Sequence, residues 1–211
     1  TMAGTCFMHK SGVGSTHIVL ASASRARREV LAAAGVAFTV EPADVDEPAI
    51  RDRLPAATPP IQIADVLARA KSQAVSNCHA DALVIGADQV LAFGGDILTK
   101  PGDLDGARAT LKQLRGRTHE LHAAVTLAER GEIVWTHVGT ARLTMRDFSD
   151  AFLDDYLKRA GQRICQSVGA YELEGLGVQL FDRIEGDYFT ILGIPLLPLL
   201  SELRARGMIA A

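Results

Sequence analysis

The sequence predicts an α/β protein with a mixed, bent β-sheet flanked by helices and a cleft. Three observations point there. Short apolar strands alternate with helical segments early in the chain. Two longer strand patterns then run back to back, at 118–129 and 132–145. Hydrophobic residues make up 48% of the 211 and charged residues 22%, enough to bury a sizeable core. That length suits one domain, or one α/β unit with two lobes.

The elements follow in chain order. Residues 1–16 are rich in Gly, Ser and Thr and read as a disordered extension ahead of a single domain at 17–211. Gly12 to Thr16 imitates a phosphate loop but lacks its spacing and its Lys. His17 to Ala21 reads as a buried strand, and Ser22 to Arg28 as a tight turn. Glu29 to Ala34 reads as a helix, stopped by Gly35. Val36 to Val40 reads as a second strand, and 41–60 as an acidic, Pro-rich loop with room for one helical turn. From Ile61 to Asn77 the positions Ile63, Val66, Leu67, Ala70 and Ala74 keep helical spacing, with Lys71 beside that face. Leu83 to Ala87 reads as a buried strand that ends on Asp88. Val90 to Phe93, Gly94-Gly95 and Ile97-Leu98 read as a hairpin. Leu104 to Leu114 is helical. The helix from Ser149 to Arg159 takes Ser149 as its cap. Leu176 to Phe181 and Tyr188 to Leu192 read as strands. Pro195 opens a last helix reaching Arg206, with Gly207 after it.

Composition narrows the function. Twenty-two Lys and Arg against 25 Asp and Glu leave a net charge of −3, which argues against binding a nucleic acid duplex. The apolar stretch Ile191 to Leu200 is too short to span a membrane and carries Pro195 and Pro198. Cys6, Cys78 and Cys165 are odd in number and lack metal-ligand spacing, as in a reduced, cytoplasmic protein.

Several clusters could carry chemistry. Ser22-Ala-Ser24-Arg25-Ala-Arg27-Arg28 lies where a strand feeds a helix N-terminus. Free N–H groups, hydroxyls and an Arg fork suit an anion there, but the cluster taken alone favours a Ser cap followed by solvated arginines. Asp44, Asp46 and Glu47 read as a solvated loop or as part of a Mg²⁺ site. Asp88 could be delivered by its strand into a ligand crevice, or could cap a turn. Lys71 and Lys100 would serve as point charges on a polyphosphate. Between Gly169 and Gly177, glycines flank Tyr171, Glu172 and Glu174, which allows close approach to a ligand or only a connecting loop. His119 and His122 would face opposite ways on a strand, and no Ser–His–Asp set is visible. Acids and cations without a Cys or His nucleophile suggest metal-assisted phosphoryl chemistry.

In order, these pieces resemble the Maf family of nucleotide pyrophosphatases. The resemblance rests on Leu20-Ala-Ser-Ala-Ser24 with Arg27-Arg28, Asp46-Glu47, Leu67-Ala-Arg-Ala-Lys71, Ile85-Gly-Ala-Asp88 and Lys100-Pro101. It continues through Leu114-Arg-Gly-Arg-Thr-His119, Gly169-Ala-Tyr171, Glu174-Gly175 and Leu192-Gly-Ile-Pro195. It implies a homodimer with two lobes around a deep nucleotide cleft, and a divalent metal, Mg²⁺ or Mn²⁺. The implied reaction takes nucleoside triphosphates such as 7-methyl-GTP, UTP or CTP to the monophosphate and pyrophosphate. By position, Arg27 matches a phosphate-binding Arg, with Ser22 and Ser24 beside it. Glu47 and Asp88 match essential acids and would share the metal, and Lys71 and Lys100 match essential lysines. Arg25 replaces a common Pro. Gln89 and Glu174 are similar to the branch that prefers 7-methyl-GTP, whereas Ala26 stands where that branch usually has a bulky residue. A non-catalytic, nucleotide-binding regulator of septum formation is the alternative. It would not require both lysines and both acids.

Overall fold

The computed structural model describes residues 17–211. The predicted extension at 1–16, with its loop-like Gly12 to Thr16 and Cys6, lies outside the described residues. β1 (His17–Leu20) leads into α1 (Arg25–Ala33), then β2 (Thr39–Val40), α2 (Glu47–Asp52) and α3 (Pro60–Ser76). β3 (Ala82–Phe93) and β4 (Asp96–Leu98) form the hairpin, followed by α4 (Leu104–Leu114), β5 (Thr118–Glu129) and β6 (Glu132–Met145). α5 (Asp150–Ala160), β7 (Phe181–Glu185), α6 (Tyr188–Ile191) and α7 (Leu196–Ala205) complete the chain.

The sheet is mixed, in the order β2-β1-β3-β5-β6-β7, with β4 also on β3. β1 runs parallel to β2 and β3, and the remaining pairings are antiparallel. Side chains alternate across β3, so its two faces serve different cores. Ala82 and Val84 join Val75 of α3, and Val90 joins Leu67 of the same helix. On the other face, Leu83 and Ile85 enter a core with Leu31 of α1 and Leu199 of α7. Leu91, farther along, belongs to a second core with Leu111 of α4 and Leu153 of α5. On this face one long strand thus supplies two apolar cores, one in each lobe.

Between those lobes the sheet is incomplete. β1 pairs with β3 only as far as Ile85, and β4 begins to pair at Leu91. Between these points β3 is paired only on its β5 side. That opening holds Asp88 and Gln89.

Several sequence expectations need correction. Asp88 does not end its strand; β3 runs through it to Phe93, because β5 pairs with it from Val84 to Ala92. α1 starts at Arg25, earlier than expected, because Ser24 caps it. The second strand shrinks to Thr39–Val40, since Val36 is drawn into the core beside α1. Leu176–Leu180 is a 3-10 turn, with Gly177 and Leu180 facing inward three residues apart. The strand expected there is displaced to β7. Tyr188–Ile191 is helical because Asp187 caps it, its Oδ2 accepting from the Thr190 N–H (2.7 Å) and hydroxyl (3.0 Å).

Candidate active site

The β1–α1 turn forms one wall. Ser24 is the N-cap of α1, and its Oγ accepts the Arg27 N–H at 3.4 Å. Ser22 is buried; its Oγ accepts from the Ser24 N–H (3.3 Å) and from Arg27 Nη1 (3.1 Å). A hydroxyl has two lone pairs and one proton. Both acceptor positions are used, so the proton is left to donate to an oxygen in the cleft.

Arg27 is not the free fork expected on a phosphate. Its Nε donates to the Gly193 carbonyl and its Nη1 to the Ala87 carbonyl, both at 2.8 Å. The Ala87 carbonyl lies in the stretch of β3 without a β1 or β4 partner, so Arg27 supplies the bond that a strand would have made. Only Nη2 has no acceptor among the described residues. Burial pulls the guanidinium below its ordinary pKa, against the opposing pull of Asp88 and Glu47.

The opposite wall brings two acids onto one lysine. Lys71 Nζ lies 2.6 Å from Asp88 Oδ1 and 2.7 Å from Glu47 Oε1. These three come from α3, β3 and α2. Lys71 reaches Asp88 because Gly86 lets α3 lie against β3: a Cβ there would stand 2.3 Å from the Ala68 carbonyl oxygen. A buried ammonium is tolerated only when paired, and the Lys71 and Asp88 side chains are 11% and 9% exposed. Arg51 Nη2 holds the second Glu47 oxygen at 3.2 Å. Burial pushes the Glu47 carboxyl up, but Lys71 and then Arg51 outweigh it and hold it below its ordinary value. Asp44 and Asp46 stand apart: both are exposed, and Asp46 caps α2 through the Ala49 N–H.

Gln89 points to the other face of β3. Its Nε2 donates to the Thr190 and Ile191 carbonyls, each at 2.9 Å, which fixes the amide orientation. Its Oε1 has no donor among the described residues. Lys100, just past β4, and Glu174 are exposed and have no ion-pair partner among the described residues.

One cleft of about 930 Å³ gathers all of these groups. Ser22, Ser24, Ala26, Arg27, Glu47, Lys71, Asp88, Gln89, Lys100 and Glu174 all line it. Arg51 lines it too and was missed in the sequence; its spacing of four from Glu47 was the available signal. Two of the glycines near Tyr171 are required by the chain's own packing. A Cβ on Gly169 would strike the Tyr171 ring at 2.2 Å, and one on Gly177 the Glu172 carbonyl at 2.4 Å. Tyr171 lines the cleft and is held by His119, whose Nε2 lies 2.7 Å from its hydroxyl. Burial raises the Tyr171 pKa and lowers that of His119 to about 4, so this pair is neutral near pH 7. Among the described residues, no three His, Cys, Asp or Glu converge as a metal site, and no helix is long and apolar enough to cross a membrane.

Comparison with known proteins identifies the family. The chain is 49% identical over 195 residues to a 7-methyl-GTP pyrophosphatase of Rhizobium meliloti, covering 92% of this chain and 98% of that protein. It is 52% identical over 190 residues to a nucleoside triphosphate pyrophosphatase of Paramagnetospirillum magneticum, covering 90% and 98%. A protein of the same name in Caulobacter vibrioides is 52% identical over 193 residues, covering 91% and 96%. The model of the Maf-like protein family matches residues 17–206, from the first residue of β1 to the cap of α7. With the whole cleft inside that match, the chain belongs to the Maf-like protein family.

Proposed function

We propose that the chain hydrolyses nucleoside triphosphates to the monophosphate and pyrophosphate. The observation that carries this reading is the convergence of Asp88, Glu47 and Lys71 in a cleft that also presents Lys100, Arg27 and Ser22. Lys100, Lys71, Arg27 Nη2 and the Ser22 proton provide cations and donors for a polyphosphate. Lys71 holds Asp88 by Oδ1, which leaves Oδ2 to accept a proton from water. That water attacks the α-phosphorus. The bond to the α,β-bridging oxygen breaks, and pyrophosphate leaves with the bonding pair.

The two carboxylates fit a divalent ion. Their oxygens already converge on one cationic centre, the Lys71 ammonium. Mg²⁺ or Mn²⁺ needs only one or two carboxylates when substrate oxygens complete its shell. Glu47 and Asp88 would hold it, and the ion would polarise the phosphoryl group under attack. Incubation with UTP, CTP and 7-methyl-GTP should release pyrophosphate, stop with EDTA and resume with Mg²⁺ or Mn²⁺. Release of orthophosphate and diphosphate would contradict the reaction, and full turnover in EDTA would contradict the metal. The relatives named for 7-methyl-GTP favour a base with a positive charge, facing Glu174 and Gln89 Oε1. A homodimer, as the family resemblance implied, belongs to this reading and is testable by sedimentation equilibrium.

A further inference from the structure

A second hollow of about 510 Å³ adjoins the cleft, and Ala26 and Glu174 line both. It is a groove between α1 on one side and α6 and α7 on the other. Val30 and Ala33 form the first wall, and Phe189, Leu197 and Leu200 the second. Its walls are apolar, and Leu197 is 61% exposed. Among the described residues, the only charged ones along it are Glu29 and Glu174. Arg25 reaches Glu29 at 3.4 Å, but both side chains are more than half exposed, so that pair is well screened. Glu174 has no ion-pair partner among the described residues.

This groove differs from the cleft in chemistry and is continuous with it. The cleft offers donors and cations for phosphates. The groove offers apolar and aromatic surface with carboxylates at its mouth, which suits a cationic group carrying an apolar body. The junction is lined by Leu192 and, at position 26, by an alanine methyl. A large side chain there would stand between the two spaces.

We infer that the groove receives the apolar substituent of a modified nucleobase: the chain takes nucleoside triphosphates whose base is N-alkylated, positively charged, and carries a group larger than methyl. This rests on the proposed pyrophosphatase reading and names its substrate class. The triphosphate lies in the cleft, the charged ring sits by Glu174, and the substituent passes Ala26 between α1 and α7. A methyl group is too small to reach the far wall, so 7-methyl-GTP leaves most of the groove in contact with water.

The experiment compares kcat/KM for 7-benzyl-GTP and 7-methyl-GTP by pyrophosphate release. The benzyl compound should be favoured about tenfold, the scale of one small apolar increment in a hydrophobic pocket. Two variants narrow the groove away from the phosphates. Ala33→Trp fills it from α1, and Leu197→Asp places a charge on its opposite wall. Both positions are exposed, so both variants should fold. Each should bring the ratio of the two substrates to about one. Rejection of 7-benzyl-GTP while 7-methyl-GTP is hydrolysed would overturn the inference and leave the pyrophosphatase reading intact. A preference that both variants leave unchanged would overturn it too. A shift of Leu197→Asp from dimer to monomer with no change in the ratio would assign the groove to a second copy of the chain. Pyrophosphate from neither compound would count against the underlying reaction.

Discussion

Lys71 carries more of the site than its place in a helical pattern suggests. Alone it is a cation buried at the foot of α3, which is unfavourable. With Asp88 at 2.6 Å and Glu47 at 2.7 Å it becomes the point on which two acids from different elements are aligned. Glu47 lends the fold stability through this contact. Its folded pKa is depressed, so that contribution is full above the ordinary glutamate range and is lost as pH falls through the folded value. Glu174 is different: it is exposed, unpaired among the described residues, and lines the same cleft as Gln89, whose amide protons are both taken. The two residues therefore present acceptors only. They should select bases with exocyclic amino groups or a positive charge. Glu174→Gln adds a donor and removes the charge. It should shift preference toward uracil and thymine nucleotides, read as the ranking of kcat/KM across a nucleotide panel. An unchanged ranking would separate Glu174 from base recognition.

At the scale of elements, the contact between α3 and β3 sets the geometry. Gly86 makes it possible, and Gly86→Ala should force the helix outward. Overpacking of this kind costs about 1–3 kcal/mol, measurable by urea denaturation. The same change should lower kcat without altering any charged group, because Lys71 rides on the displaced helix. On β5, His119 and His122 are both held below the ordinary histidine pKa by burial, His119 at about 4. The unfolded chain therefore takes up more protons than the folded one as pH falls from about 6.5 to about 4. Stability should drop across that window, seen as a falling Tm, and His119→Gln should flatten part of the drop. How far elements could be read from sequence followed from how locally they are decided. β5 and β6 came out with their observed bounds, since long extended runs joined by a tight turn leave little choice. The α6 segment, Tyr-Phe-Thr-Ile, is made of strand-favouring residues, and only the Asp187 cap makes it a helix. β7 is an exposed edge strand with few apolar residues, so its pattern was invisible. The end of β3 was misplaced because the pairing that carries it past Asp88 comes from β5, distant in sequence.

For the whole molecule, the site lies where β3 passes from the core of Leu83 and Ile85 to the core of Leu91, with only one neighbouring strand. Glu47, Lys71, Asp88 and Lys100 could be singled out from the order of their motifs, and they line one cleft; Arg51 was not singled out. The meeting of Glu47 with Lys71, the diversion of Arg27 to backbone carbonyls and the groove past Ala26 were not legible, because each depends on contacts between distant segments. In the proposed reaction a division of labour holds: the acids meeting at Lys71 perform the hydrolysis while the nearby acids of the same loop do not. It is tested most directly by kcat for Asp88→Asn, Glu47→Gln and Asp44→Asn, with circular dichroism confirming each fold. Asp88→Asn should lose about 10²–10⁴-fold, the usual scale for one acid–base group. Glu47→Gln should be of similar severity, and Asp44→Asn should stay near the parent value. An Asp88→Asn enzyme with near-normal kcat, or an Asp44→Asn enzyme as inactive as the other two, would contradict the assignment.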